Sequence, residues 1–440
     1  MMVDRNNIVN KGNKNSSSSY YVVTLVFLLI SAKASVLFFE DIFWFLLMFY
    51  ILIKKGNEII KNKSSVNYFF GLAVSFIVLS LLQYFLNTPS LEFFFSNLLF
   101  LFKYILLTYL VACYLKEKYL SYLIKVMRHL AIIGLCMYAL QLINFDIVYS
   151  TGTYITSLYS KANPDPGTKN LLFFNLSAYH NIRNSGFAWE PGAYGCFLVV
   201  TLFLSLIRNK FKFQKDQILF LISILTTLST TAYLGVLVVL ISYFRARKVK
   251  KITMLFYFLP VILIGLNLSF LSDKIQLQIF NDMDMIDNLS QRNDFYSQEG
   301  LKMPLNRFAS MIFIISQFGY KLIWGMGNKY ESYYMNEFAV NLSNGDFDFI
   351  ARFGLIGLFF YLKRSFNFFK TYINSETAFY AILILLILGY AENILLLPFF
   401  FVFVFLKDTF LGKIKKIVSH GSVPKTLYLQ HSGQIQIDKM

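Results

Sequence analysis

Charged residues are scarce in this chain of 440 residues, at 15% of the total, whereas 56% of the residues are hydrophobic. Soluble domains carry roughly a quarter charged residues, so the composition excludes an ordinary soluble protein. Cysteine is also rare, and Cys113, Cys136 and Cys196 all lie in apolar stretches. We therefore expect free thiols rather than a disulfide framework. The composition predicts a protein that crosses a membrane many times.

Acidic residues are fewer than basic ones, 24 against 41, which leaves a net charge of +17. The basic residues stand in short segments beside apolar runs, on alternate sides, as in 54–63, 208–215 and 245–251. That distribution follows the positive-inside rule, which sets the orientation of membrane helices. We therefore expect the lipid bilayer as a partner, and no nucleic acid.

Several signatures are missing from the sequence: an internal repeat, a glycine-rich phosphate loop, a paired-histidine metal spacing and a Ser-His-Asp pattern. We therefore expect neither a cofactor nor a metal. A cleavable signal peptide is not indicated either, because Lys33 interrupts the first apolar run, which lacks a small-residue cleavage site.

Long apolar runs predict the spans, since a membrane helix needs roughly 20 such residues. Ten full spans are predicted, at 20–37, 40–53, 67–86, 93–113, 128–148, 190–207, 252–271, 347–362, 376–392 and 394–407. The run 217–244 is too long for one ordinary span and has basic residues on both sides. We predict that it enters and returns, reversing at 227–235, where Thr and Ser can satisfy backbone groups that lipid cannot. A single tilted helix is the alternative.

The predicted fold is thus all-α and polytopic, with about 12 transmembrane segments. Both termini are predicted to be cytoplasmic, and two large loops extracytoplasmic. The predicted order is a cytoplasmic tail 1–19, transmembrane helices 20–148, a first outer loop 149–189, helices 190–271 with the reversal, a large outer loop 272–346, helices 347–407 and a cytoplasmic tail 408–440.

The first polar cluster is "NSGFAWEPGAYG", residues 184–195, preceded by Arg183. Pro191 fits the first turn of a helix, and Glu190 beside it lies at the positive end of the helix dipole. Arg183 can bind a diphosphate or a carboxylate through two parallel hydrogen bonds. The alternative is structural: Glu190 pairs with Arg183 or caps its own helix.

Two further clusters stand at the predicted outer ends of helices. Arg307 opens a stretch whose pattern from 305 to 323 predicts an amphipathic helix on the membrane surface. Asp346, Asp348 and Arg352 open the next predicted span, where ionisable groups are expensive and indicate a polar cavity. Gly354 follows them and permits close approach of another segment. A solvated arginine and a simple Asp–Arg pair are the structural alternatives.

Together these stretches resemble the O-antigen ligase/polymerase superfamily of Wzy-type polymerases and WaaL-type ligases. The resemblance lies in the order of four motifs: "RNSGFAWEPGAYG" at the end of an outer loop, "LTTLSTTAYLGV" at the reversal, "NRFAS" with "LIWGMG" in the large outer loop, and "SNGDFDFIARFGLIGLFFYL" opening a span. It covers residues 180–362, and the first 150 residues only by topology. The histidine-asparagine pair typical of ligases is Ser343-Asn344 here, and the usual Ser-Arg of the reversal is Ser229-Thr230.

The resemblance implies a metal-independent, inverting membrane glycosyltransferase that acts on undecaprenyl-diphosphate-linked glycans at the outer face of the bacterial inner membrane. It implies that Arg183 and Arg307 bind the lipid diphosphate. The residues expected to take part in catalysis are Arg183, Glu190, Arg307, Asp346 and Asp348, and those expected to bind substrate are Arg183, Tyr194, Arg307, Asn344 and Arg352.

The general base is left open among Glu190, Asp346 and Asp348. The expected function is polymerisation of repeat units into O-antigen or capsular polysaccharide, with a flippase and a chain-length regulator as pathway partners. The alternatives are a ligase that transfers glycan to lipid A core or to protein, a flippase for lipid-linked oligosaccharide, and a structural membrane scaffold.

Overall fold

The structure is a computed structural model that describes residues 6–87, 91–157, 167–250, 284, 286, 288–298, 301–335, 337–372 and 374–409. The predicted span 252–271 lies outside these residues, as do the first part of the loop 272–346 and nearly all of the tail 408–440.

The described chain is helical, with two short two-stranded pairs and no closed sheet. The helices are α1 (Asn6–Ser31), α2 (Val36–Phe39), α3 (Asp41–Lys61), α4 (Lys63–Asn87), α5 (Leu91–Phe100), a π-helical segment (Leu101–Leu106), α6 (Leu107–Leu115), α7 (Tyr119–Ile143), α8 (Phe145–Ser157), α9 (Pro191–Arg208), α10 (Lys215–Thr226), α11 (Thr230–Ala246), α12 (Leu289–Gln298), α13 (Arg307–Phe318), α14 (Gly345–Tyr372), α15 (Ser375–Ala391) and α16 (Pro398–Phe401). The strands are β1 (Thr168–Asn170), β2 (Asn175–Ser177), β3 (Met303–Pro304) and β4 (Val340–Asn341).

Three described stretches are long and apolar enough to cross a membrane: Lys63–Asn87, Leu91–Ile143 and Pro191–Arg208. Shorter apolar helices cover Ser17–Ser31, Thr230–Ala246 and Ser375–Ala391. By length and composition, the described part therefore has three candidate spans and several shorter apolar helices. Helix α9 is buried along almost its whole length, so it is the centre around which the others pack.

Two helix breaks differ from the hydropathy prediction. The run 128–148 is divided at Asn144, whose extended backbone ends α7 and whose side chain accepts the Ile147 amide at 3.1 Å to start α8. The run 20–37 ends at Ser31, and Lys33 follows with a positive φ of 52°. One polar residue hardly changes a mean hydropathy, yet it can end a helix by offering an alternative hydrogen bond.

The reversal lies at residues 227–229, between α10 and α11. The start of α10 contacts the end of α9, since Gln217 donates to Ser205 at 3.0 Å. The start of α11 contacts the start of α9, where a side chain at Gly195 would overlap Ala232. Helix α10 is therefore antiparallel to α9 and α11 is parallel to it. Leu228, with a φ of 47°, makes the tight turn between them.

The segment 323–328 lies against α14 where that helix is kinked at Gly354. The amides of Met326 and Gly327 donate to the carbonyls of Ala351 and Arg352, at 2.6 and 3.0 Å. Gly354 has a φ of 73°, and a Cβ there would overlap the Ile323 carbonyl. Glycine is needed at this position for both its backbone conformation and its small size.

Candidate functional site

Ends of several helices meet around the N-terminus of α9. Pro191 is the first residue of α9, with the extended Glu190 before it. The 227–229 turn, the C-terminus of α15 and the N-termini of α13 and α14 lie around this point. Helix N-termini carry partial positive charge and C-termini partial negative charge, so their convergence makes a polar region in an otherwise apolar protein.

Arg183 is half-buried and is anchored by the end of α10, because its Nε donates to the Thr227 carbonyl at 3.0 Å. Its terminal amino groups have no hydrogen-bond partner among the described residues. Burial lowers the pKa of Arg183, and the charges of Glu190 and Glu392 oppose that decrease. Neither structural alternative for the Glu190 region is observed: no ion pair within 4 Å joins Glu190 to Arg183 in the described chain, and its side chain does not cap α9.

Arg307 is anchored in the same way, by the end of another helix. Its Nε donates to the Ala391 carbonyl at 2.8 Å, and Nη2 lies 3.4 Å from Oε1 of Glu392. The Arg307 side chain is 41% exposed, so part of the guanidinium remains accessible. The charge of Arg307 also acts on Arg183, which places the two arginines in one cluster.

Glu190 and Glu392 form a carboxyl pair in this cluster. The two side chains lie close enough for the charge of Glu190 to act on the Glu392 carboxyl. The Glu392 side chain is 8% exposed, whereas Glu190 is partly exposed and accepts the Trp189 indole N–H at 2.9 Å. Glu392 lies in the linker after α15, outside the helices. Burial and then the Glu190 carboxylate raise its pKa well above the ordinary value, against the lowering effect of Arg307 and Lys33.

Lys33 contributes a third cation, from the break after α1. Its Nζ donates to the Asn393 carbonyl at 3.3 Å and lies 5.4 Å from the centre of the Trp189 ring. The charges of Asp348 and Arg352 act on this ammonium group, and so do those of Glu392 and Glu190. We name Lys33, Arg183, Glu190, Arg307 and Glu392 the charged cluster.

Asp348 and Arg352 form a hydrogen-bonded network with residues 328 and 330. Nε of Arg352 donates to both carboxylate oxygens of Asp348, at 3.1 and 3.0 Å, and Nη1 donates to the carbonyl and side chain of Asn328. The Tyr330 hydroxyl donates to Asp348 at 2.8 Å. These side chains hold the segment 325–330 against α14. Asp348, predicted to be catalytic, and Arg352, predicted to bind substrate, make their hydrogen bonds to each other and to this segment.

Asn344 and Asp346 stand at the start of α14 and differ from each other. Asn344 is fully buried, donates to the Arg307 carbonyl at 3.0 Å and accepts the Phe347 amide at 3.1 Å. It therefore joins α14 to α13 and positions Arg307 rather than facing a substrate. Asp346 has a buried Oδ1 with no hydrogen-bond partner among the described residues.

Tyr194, predicted to bind substrate, is fully buried in the core. Its ring packs edge-on against Phe187, at 5.7 Å between centroids, and lies against Gly134 and Gly186. Gly186 has a φ of 48°, and a side chain there would overlap the tyrosine ring. Tyr194 thus packs α9 against the preceding loop and is closed to an outer ligand in this conformation.

Two members of the charged cluster, Lys33 and Glu392, were missed as site residues in the sequence. The available signal was the presence of a charge inside or at the end of a predicted span, 20–37 and 376–392, since such charges are expensive unless they have partners. Their common location depends on the packing of α1, α9 and α15, which no local pattern contains.

A second polar feature lies at the opposite end of α9. It is a cleft of about 320 Å³ lined by Ser121, Tyr122, Ile124, Lys125, Arg128, Arg208 and Asp216. Arg208 ends α9, about 27 Å along the helix from Glu190 at 1.5 Å per residue. This basic cleft is therefore separate from the charged cluster.

Comparisons of the chain with protein-family models, with curated proteins and with solved structures find no match.

Proposed function

We propose that the protein is a membrane glycosyltransferase that joins undecaprenyl-diphosphate-linked oligosaccharide units into O-antigen or capsular polysaccharide, at the outer face of the bacterial inner membrane. The observation that carries this proposal is the matched placement of Arg183 and Arg307. Each arginine comes from a different polar segment, and each uses Nε to bind the C-terminal carbonyl of a helix. The charge of Glu190 acts on Arg183, and Glu392 contacts Arg307.

This placement suits a diphosphate. Anchoring through Nε leaves the terminal amino groups of Arg183, and part of the Arg307 guanidinium, available to phosphate oxygens. Arginine binds such oxygens through planar, charge-assisted hydrogen bonds. Donors held in advance stabilise the charge that builds on the leaving diphosphate, and this requires no metal.

The proposed reaction is a single displacement with inversion. The hydroxyl oxygen of the acceptor sugar forms a bond to the anomeric carbon of the donor, while the bond from that carbon to the diphosphate oxygen breaks. The electron pair leaves with the diphosphate, and the hydroxyl proton passes to a base. Of the three carboxylates considered, Asp348 is buried in its ion pair with Arg352, whereas Glu190 is partly exposed and its charge acts on Arg183, so we assign Glu190 this role. A general base contributes about 10²–10⁴-fold in rate.

The proposal places the charged cluster on the extracytoplasmic side of a twelve-segment topology, and cysteine labelling tests this. In a background in which the exposed Cys136 is replaced by serine, an impermeant thiol reagent added to intact spheroplasts is expected to label Asn181→Cys and Asp294→Cys. It is expected to leave Lys212→Cys and Lys248→Cys unlabelled, since the basic residues around them favour the cytoplasm. All four native side chains are exposed, so access is set by the side of the membrane.

Permeabilised cells provide the control, because all four positions should then react. Labelling of Lys248→Cys in intact spheroplasts would break the topology, and the charged cluster would then face the cytoplasm.

Deletion of the gene tests the function itself. The deletion strain is expected to carry single repeat units on its surface lipid, where the wild type carries a ladder of chain lengths. The measurement is electrophoresis of extracted glycolipids, with the wild-type gene restored as the control. A full ladder retained on the carrier lipid but missing from lipid A core would favour the ligase alternative. Repeat units trapped on the cytoplasmic side would favour the flippase alternative.

A further inference from the structure

The basic cleft lies between three helices, at the end of α9 that is far from the charged cluster. Its basic side chains are Lys125 and Arg128 of α7 and Arg208 of α9. Its acidic side chain, Asp216, stands in the first turn of α10. Three positive charges and one negative charge leave the lining with a net charge of +2. Its volume of about 320 Å³ is at the lower end of the roughly 300–1,000 Å³ of small-molecule sites, so the cleft has the size and charge to hold a small anionic group.

The two arginines of the cleft keep hydrogen-bond donors available. Arg208 is exposed, and within the described residues its guanidinium makes neither an ion pair nor a hydrogen bond. Nη1 of Arg128 lies 3.7 Å from Oδ1 of Asp216, which is too long for a hydrogen bond. The Arg128 side chain is 40% exposed. A ligand in the cleft can therefore reach donors from both α7 and α9.

Basic residues at helix ends are expected in any membrane protein, and the end of α11 provides a comparison. Arg245 there pairs with Glu376 at 2.9 Å, and the Arg247 guanidinium lies 6.0 Å from the centre of the Tyr243 ring. Both of these arginines have partners, and both come from one helix. The basic side chains of the cleft come from two helices and converge on one space. The positive-inside rule alone does not require such convergence.

A phosphate group is the anion that this cleft suits best. Guanidinium groups bind phosphate oxygens through planar, charge-assisted hydrogen bonds, and a lysine adds a further positive charge. A phosphate monoester carries about −1.5 to −2 charges at pH 7, which complements the net charge of +2 on the lining. The hydroxyl of Ser121, on the same wall as Lys125 and Arg128, can add one more donor.

Apolar side chains continue from the cleft along both neighbouring helices. Ile218, Ile222 and Leu225 are exposed on one face of α10, one to three turns after the start of that helix in the cleft. Ile132 of α7 is also exposed and follows Arg128 by four residues, so it lies on the same helix face. Helix α9, whose end forms the third wall, is long and apolar enough to cross a membrane. These faces suit acyl chains below a phosphate that lies at the headgroup level.

We propose that the basic cleft binds the phosphate headgroup of an anionic membrane lipid, with its phosphate oxygens on Arg128 and Arg208 and its acyl chains along α7 and α10. The lipid joins the ends of these helices, because one phosphate contacts side chains of both α7 and α9. It is a bound ligand that is not consumed, so this site is independent of the proposed function.

Retention of phosphatidic acid by the full-length protein in detergent micelles tests the proposal. Titrations followed by native mass spectrometry count the lipid molecules that each chain keeps, with phosphatidylcholine as the neutral comparison. The wild type is expected to retain phosphatidic acid in preference. Arg128→Gln/Arg208→Gln should weaken this binding roughly tenfold or more, the usual result of losing charged hydrogen bonds. Arg245→Gln/Arg247→Gln removes the same charge from the end of α11 and is the matched control, expected to bind like the wild type.

The variant Asp216→Asn tests the same site through a gain of affinity. It raises the net charge of the lining to +3 and removes the carboxylate that competes for Arg128, so phosphatidic acid should bind severalfold more tightly. A variant that had only lost stability would not bind more tightly. Glu376→Gln, which removes an exposed carboxylate far from the cleft, should leave binding unchanged.

Inorganic phosphate separates a lipid from a free anion as the ligand. It is expected to displace phosphatidic acid only at concentrations far above that of the lipid, because it cannot contact the exposed apolar faces of α7 and α10. Inorganic phosphate that binds as tightly as phosphatidic acid would overturn the lipid assignment. Equal retention of phosphatidic acid by the wild type and by Arg128→Gln/Arg208→Gln would overturn the site itself. Both measurements proceed without a glycan, so neither result depends on polymer formation.

Discussion

Replacement of Arg183 or Arg307 by alanine is expected to reduce polymer formation by about 10²–10³-fold, the usual effect of removing one donor that stabilises a leaving anion. Both side chains are anchored through Nε on helix carbonyls, so alanine removes the donors without removing a helix. Lysine keeps the charge but loses the planar fork, and Arg183→Lys and Arg307→Lys are expected to recover only part of the loss. The measurement is polymer length and yield in cells that express each variant at the wild-type level.

The control for these variants is Arg245→Ala. Arg245 is an exposed arginine at the end of α11 that pairs with Glu376 at 2.9 Å, far from the charged cluster. It should leave polymer formation unchanged. Normal polymer from both Arg183→Ala and Arg307→Ala would contradict the proposal that these arginines bind diphosphate. They would then be anchors at the membrane–water interface.

Asp348→Ala is expected to destabilise the protein by about 3–5 kcal/mol, the usual cost of leaving a buried charge without its partner. The Asp348 side chain is 5% exposed and that of Arg352 is 19% exposed, and Arg352 donates three hydrogen bonds to Asp348 from Nε and Nη2. The segment 325–330 should detach with it, since Arg352 and Tyr330 both bind Asp348. Thermal unfolding of the detergent-solubilised protein measures the effect.

Two further variants make this prediction specific. Glu376→Ala breaks an exposed ion pair and should leave the unfolding temperature nearly unchanged. The double variant Asp348→Ala/Arg352→Met should regain part of the lost stability, because no lone charge remains buried. An Asp348→Ala protein that unfolds at the wild-type temperature but makes no polymer would indicate that Asp348 takes part in the reaction.

Local sequence patterns predicted those parts of the site whose structure depends on neighbouring residues. The pair Glu190-Pro191 predicted a helix start, and α9 begins at Pro191 because proline fits the first helical turn, where no amide donor is needed. The Thr- and Ser-rich stretch predicted a reversal, and the Thr227 carbonyl it exposes is the one that Arg183 binds. Each of these depends on a few neighbouring residues.

Other assignments depended on partners that are distant in the chain. Asp348 is predicted to be catalytic and Arg352 to bind substrate, because charges at the start of a predicted span indicate a polar cavity, yet both side chains hydrogen-bond the segment 325–330. Tyr194 followed the motif of its segment, but the ring fills a space between α7 and the loop before α9. A motif shows which side chains are present. It does not show which of them make hydrogen bonds or packing contacts with another segment.

The sequence by itself determined a helical chain with long apolar segments, the start of α9 and the turn between α10 and α11, because hydrophobicity and backbone preference act over one or two turns. Only the tertiary structure decided that Arg183, Arg307 and Lys33 meet around Glu190 and Glu392. These side chains come together because ends of segments pack side by side. Carbonyls at the end of one segment accept hydrogen bonds from charged side chains of another segment. A hydropathy profile contains no information on these contacts, because each contact depends on two segments that are distant in the chain.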